Sequence, residues 1–214
     1  MITKKKYASL VFAVLASTAV TAQVNTGYIG VEGGYSIIND QSDELKNGAI
    51  SSYGGTASAS MKTGITSYRL YGGFDVNDKI SLELGYLGSS SINASVSGRS
   101  SGAVNYAIDL SLKLTGYDYS VMWYPNRTST VRGGFVKIGG HNTKLSGTGT
   151  AVASGNTYRS DISDSGTGLQ FGVGYEGALT KTVDYRLGVT RYNKVAGESG
   201  TGVSVISAGV ITRF

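Results

Sequence analysis

The chain has 214 residues, enough for one domain or two small ones. Charged residues make up only 15%, glycine occurs 32 times, proline once and cysteine never. This composition excludes a collagen, a coiled coil, a disulfide scaffold and any site built on cysteine.

Lys4, Lys5 and Lys6 precede an apolar or small stretch at 7–20, and Val20, Thr21 and Ala22 supply small residues before Gln23. That is the layout of a secretory signal peptide, so 1–22 is expected to be cleaved, leaving 23–214 as one domain. A helix over 7–20 reaches only about 21 Å, short of a roughly 30 Å hydrocarbon core. No cysteine follows it to carry a lipid anchor. Removing its three lysines leaves 16 basic and 14 acidic residues, a net +2. That is too little to point to nucleic acid. Beyond it no apolar run is long enough for a spanning helix, so a membrane protein here must be a barrel.

From Tyr28 onward the pattern has period two, which places successive side chains on opposite faces of a strand. Ile29, Val31, Tyr35 and Ile37 oppose Tyr28, Gly30, Glu32 and Ser36. Tyr68, Leu70 and Phe74 oppose Arg69, Tyr71 and Gly73, and Leu82, Leu84 and Tyr86 oppose Ser81, Glu83 and Gly85. A fourth strand over 106–124 alternates on even positions at Ile108, Leu110, Leu112 and Leu114, then on odd ones at Tyr117, Tyr119, Val121 and Trp123. The switch near Thr115 and Gly116 predicts a bulge. Its length is about twice the 9–11 residues a spanning strand needs, so it is expected to project above the membrane, where it could pair with a partner by edge addition.

A fifth strand, 131–140, is less regular: Val131, Phe135 and Lys137 share one face, Arg132, Val136 and Ile138 the other. Leu169, Phe171, Val173 and Tyr175 then oppose Gln170, Gly172, Gly174 and Glu176. Val183, Tyr185, Leu187 and Val189 oppose Asp184, Arg186 and Gly188, and Ile206, Ala208, Val210, Thr212 and Phe214 close the chain. The count is eight. Long connections at 38–65, 88–105 and 141–167 alternate with short ones at 75–79, 124–128 and 177–182. An up-and-down barrel produces this when all long loops lie on one side.

A soluble ligand-binding barrel keeps its apolar face inward. Here the polar face carries Glu32, Arg69, Glu83, Arg132, Glu176 and Arg186 near mid-strand, while the other is aliphatic and aromatic. With the signal peptide and the loop asymmetry, this favours lipid outside and a charge network in the lumen. Gly30, Gly34, Gly73, Gly85, Gly172, Gly174 and Gly188 fit a narrow interior. Tyr28, Tyr86, Trp123, Tyr124, Tyr175, Tyr185 and Phe214 are expected in aromatic girdles at headgroup depth.

The alternating C-terminal strand that stops on Phe214 resembles the terminal signal read by the outer-membrane barrel-insertion machinery. With the segments at 168–176 and 68–74, the mature chain resembles the eight-stranded transmembrane domain of the outer-membrane protein A family. The resemblance implies an all-β, eight-stranded antiparallel up-and-down transmembrane barrel in a bacterial outer membrane. Its implied partners are outer-membrane lipid, lipopolysaccharide and the insertion machinery. The periplasmic wall-binding domain of full-length family members has no counterpart in the sequence, so wall tethering is not carried over.

Sites of other chemistry find little support. G-x-G-x-x-G at 172–177 lies inside a strand, where a dinucleotide site needs a helix to follow. The glycosylation sequons at Asn93 and Asn126 are uninformative behind a bacterial address. His141, the one histidine, reads as an exposed loop residue, which makes a transition-metal site or catalysis unexpected. No cofactor is expected. The long loops are rich in Ser, Gly, Thr, Ala and Asn and are expected to be mobile. Two functions fit: a structural, adhesin-like surface protein with a plugged lumen and a cell-surface or host ligand at the loops, or a small porin-like channel gated by the inward charges. A lipid-modifying enzyme is the remote third.

Overall fold

The computed structural model describes residues 26–127 and 132–214. The expected signal peptide and Val131 lie outside them. The strands are β1 (Gly27–Ile38), β2 (Thr56–Met61), β3 (Gly64–Asp75), β4 (Ile80–Ser89), β5 (Ile92–Arg99), β6 (Asn105–Trp123), β7 (Gly133–Ala153), β8 (Asn156–Ala178), β9 (Val183–Asn193) and β10 (Gly202–Arg213). One helix, α1 (Ser42–Tyr53), lies between β1 and β2. Eight of the strands form an antiparallel ring in the order β1, β3, β4, β6, β7, β8, β9, β10, closed by β10 pairing with β1. A closed ring satisfies every ladder hydrogen bond without an edge, as hydrocarbon demands. The expected eight-stranded barrel is the observed one.

Side-chain parity places the lumen. Ile29, Val31, Leu70, Leu84, Val121, Phe171, Leu187 and Val210 are exposed on the outer wall, the position lipid occupies. Tyr28 and Tyr124, expected in the girdles, are instead inside the barrel at 1% and 0% exposure. Each sits one residue out of step with its apolar neighbour, Ile29 or Trp123, so alternation turns it inward. Tyr86, Trp123, Tyr175 and Phe214 do face outward.

The irregular fifth strand resolves at its start. Gly133 has φ +85°, a left-handed conformation that glycine adopts without strain, and regular alternation begins only there. Phe135, Lys137 and His141 point inward, Val136 and Ile138 outward.

β6 carries no bulge. Its pairing with β7 runs unbroken from Tyr106 opposite Ala153 to Trp123 opposite Val136. Even residues face inward along the whole strand, and odd residues face outward. What changes near Thr115 is the solvent. Below it the outer residues Tyr117, Tyr119 and Val121 meet lipid, and the inner Asp118 and Ser120 meet the charged lumen. Above it the outer Asp109, Ser111 and Lys113 meet water, and Leu110, Leu112 and Leu114 turn toward an apolar interior. The same pleat thus reverses polarity where the strand leaves the bilayer.

The loops are also more ordered than their composition suggests. The stretch 38–65 holds α1 and β2, and 88–105 holds β5. Most of 141–167 is the continuous hairpin of β7 and β8. β2 pairs with β5, and β5 with the upper half of β6, which widens the sheet above the membrane. Ala49, Val96 and Tyr106 form its buried centre, with Leu45, Ala57, Ala59, Ile108 and Ala153 packed around them. Counted alone, the loops lack apolar residues; three of these eight, Tyr106, Ile108 and Ala153, come from the projecting strands β6 and β7. α1 starts beside Asp40, whose carboxylate accepts the Ser42 N–H at 2.9 Å.

The polarity reversal predicts a labelling pattern in a chain that has no native cysteine. With single cysteines at the outward positions Ser111 and Val121, a membrane-impermeant maleimide should modify Ser111→Cys rapidly and Val121→Cys at least tenfold more slowly. Protection of both, or of Ser111→Cys alone, would contradict the unbroken register.

Candidate functional site

The lumen is filled by charge. The register sets Glu32 directly opposite Arg69 on β1 and β3, and Glu176 opposite Arg186 on β8 and β9. Arg186 is the hub. Its guanidinium reaches Glu83 at 2.6 Å, Glu176 at 2.9 Å and Glu32 at 3.3 Å. It also stacks 4.6 Å from the centre of the ring of Tyr71, on β3. Arg69 grips Asp118 through two nitrogens at 2.7 and 2.8 Å and donates to Glu83 at 3.0 Å. Tyr192 donates its hydroxyl to the same Asp118 at 3.2 Å.

A lower tier lies toward the short turns. Arg213 binds Glu176 at 2.8 Å, Asp75 at 3.1 Å and Asp184. Arg127 holds Asp75 at 2.6 Å, and Arg132 holds Asp184 at 3.0 Å. Two of the inward tyrosines join the tiers: Tyr28 donates to Glu83 at 3.1 Å and Tyr124 to Glu176 at 2.7 Å. Lys137 is buried in the same space. Glu32, Asp75, Glu83, Asp118, Glu176 and Asp184 therefore face Arg69, Arg127, Arg132, Lys137, Arg186 and Arg213, six against six. Balanced in this way, the buried set carries no net formal charge, as a space too dry to solvate one requires, although Lys137 has no ion pair within 4.0 Å among the described residues. Glycine makes the room: a methyl group on Gly85 would collide with both Arg69 and Asp118.

All six charged residues expected from the sequence point into this network, and Arg132 reaches it from the residue before Gly133. Six more were missed. Asp184 stands on a polar face already identified, Asp118 alternates with Tyr117 and Tyr119 on β6, Asp75 and Arg213 lie at strand ends, and Arg127 comes from a turn. Arg213 had a plain signal, because it alternates with Phe214. Lys137 was hidden by the unresolved phase of its strand.

Above the charges sits a small chamber of about 40 Å³, with Glu32, Ser36, Ser67, Thr190 and Ser207 among a largely apolar lining and room for few waters. An apolar collar of Leu87, Leu114, Tyr192, Val195 and Val203 roofs it. His141 is not an exposed loop residue but is 1% exposed at this level. Its Nε2 is bonded to the Asn193 carbonyl at 2.9 Å, and its ring meets Tyr192 edge-on at 5.4 Å. Among the described residues no cluster of His, Asp and Glu could hold a metal ion.

The sequence matches the family model described as "Outer membrane protein beta-barrel domain" over residues 8–214. The chain belongs to this family of bacterial outer-membrane β-barrels. It is similar in structure to Ail, the attachment invasion locus protein of Yersinia pestis, solved in complex with the heparin analogue sucrose octasulfate. That pair shares 10% identity and a TM-score of 0.49, over 89% of this chain and 99% of Ail. Neisserial surface protein A gives 17% identity and a TM-score of 0.46, over 88% and 97%. OprG from Pseudomonas aeruginosa gives 14% and 0.45, over 89% and 97%. No curated protein matches the sequence significantly.

The hub geometry sets an energetic ranking for this barrel. Arg186→Ala strips a shared cation from three buried carboxylates and should cost about 3–5 kcal/mol. Arg132→Ala breaks a single pair, and its partner Asp184 keeps Arg213, so it should cost less, about 1–2 kcal/mol. Urea unfolding in lipid vesicles measures both, and equal costs would contradict a hub at Arg186.

Proposed function

We propose that this outer-membrane barrel is a structural and surface-interaction protein with a closed lumen, acting through the sheet and helix it raises above the membrane. The observation that carries this reading is the stacking of two blocks across the lumen, the twelve-member charge network and the apolar collar. An eight-stranded ring leaves only the space that side chains fill. A porin-like path through it requires the Arg69 and Arg186 pairs to part and the collar to wet, at the cost of uncompensated charge. The projecting part offers the surface: the β7–β8 hairpin tip carries exposed Val152 and Tyr158. We assign it the contact with lipopolysaccharide headgroups and with a ligand on another cell.

The enzyme reading has less support. His141 spends its Nε2 on a backbone carbonyl. Thr143, the hydroxyl nearest its other nitrogen, accepts the Ala196 N–H at 2.9 Å. Thr143 braces the turn Val195–Gly197 against β7, and His141 holds the end of β9. We further assign export to residues 1–22 and recognition by the insertion machinery to Phe214, whose ring lies exposed at the end of β10.

The refolded barrel in a planar bilayer should show no stepwise conductance, while its heat-dependent gel shift reports a folded state. Reproducible steps that change in an Arg69→Ala/Arg186→Ala variant would overturn the closed reading in favour of a channel.

A further inference from the structure

Directly above the collar the projecting strands enclose a second space, and nothing in the lumen network uses it. Its volume is about 190 Å³. The walls are apolar and come from six different elements: Ile38, Leu45, Ile92, Leu112, Leu145 and Val203. Of comparable size is a buried apolar cavity of about 150 Å³ that holds benzene. This space therefore accommodates one small ring or a short aliphatic chain. It lies beyond the bilayer, because the residues outside it on β6, Asp109, Ser111 and Lys113, are exposed and polar. Its occupant therefore arrives from water, not from the lipid.

The lining is polar at Asn39, Gln41, Asp164, Glu198 and Thr201, and these differ in availability. Asn39 already donates to the Gly200 carbonyl at 3.0 Å and accepts from Arg191 at 3.1 Å. Thr201 donates to the carbonyls of Val195 and Glu198. Arg191, a cation beside this rim, is held by Asn39 and by Ser204 at 3.0 Å. Asp164 and Glu198 also line the space, and neither has an ion pair within 4.0 Å among the described residues. Two free carboxylates over an apolar pocket attract a cation and repel an anion.

We propose that the outer mouth of this barrel is a binding site for a small amphipathic amine, its apolar body among the leucines and its ammonium group between Asp164 and Glu198. The site goes beyond the surface role above and does not depend on whether the lumen conducts. Each methylene buried in such a pocket tightens binding about fourfold, so pentylamine and hexylamine should differ by roughly that factor. Hexanoate should bind at least tenfold more weakly than hexylamine.

The test uses the whole barrel in lipid nanodiscs with labelled Ile, Leu and Val methyls, and hexylamine, hexanol and hexanoate as probes. Hexylamine should give saturable shifts and nuclear Overhauser contacts at Ile92 and Leu112. An Asp164→Asn/Glu198→Gln variant should keep its heat-dependent gel shift and its hexanol binding but lose the preference for the amine. Ala94→Phe, which fills the space, should abolish all three responses while the barrel stays folded. Contacts only at the lipid-facing Leu70 and Leu84 would overturn the proposal, as would equal binding of hexanoate and hexylamine.

Discussion

A ring of eight strands gives lipid no edge to meet, but it also leaves an interior too narrow for bulk water and too polar to be left empty. The charges inside must therefore answer one another. In this barrel six acids face six cations, and the register that closes the ring is the one that sets Glu32 beside Arg69 and Glu176 beside Arg186. Slipping one strand by a single residue would turn its charges into lipid and its leucines into the lumen. The network thus fixes register as well as filling space. Tyr28 and Tyr124 extend it by hydrogen-bonding Glu83 and Glu176 while packing as hydrophobes. A buried ion pair adds little net stability over a well-packed apolar one, so the gain lies in a single permitted closure.

The long strands carry this logic past the membrane. Within the bilayer the outside is apolar and the inside charged; above it the same strands turn leucine inward and lysine, serine and aspartate outward. The backbone does nothing different at the crossing. The residue pattern follows the solvent on each side of the wall, and the crossing point at Thr115 marks the outer surface of the bilayer. What stands above that line is a thin two-sided structure, stabilised by small residues of α1, β2 and β5 laid against the upper β6.

Strict alternation in a chain with no spanning helix made the barrel, its strand count and six inward charges legible before any coordinates. The misreadings have separate causes, none of them visible in residue parity alone. Lys137 was ambiguous because the phase of its strand is set at Gly133, a positive-φ residue that sequence parity does not reveal. His141 reads as exposed because the hairpin of β7 and β8 above it has the composition of a loop. The polarity switch in β6 looked like a bulge because a change of solvent and a change of register leave the same mark on a sequence.

The most direct test of the central claim is a double-mutant cycle at Arg69 and Asp118, whose bidentate contact at 2.7 and 2.8 Å lies within the network. Unfolding free energies of Arg69→Leu, Asp118→Leu and the double variant in lipid vesicles should be strongly non-additive, with a coupling of about 1.5–3 kcal/mol. The double variant should be more stable than either single one, since it leaves neither of these two charges without its partner. Additivity within about 0.5 kcal/mol would contradict the account and leave the lumen charges as separate solvated groups.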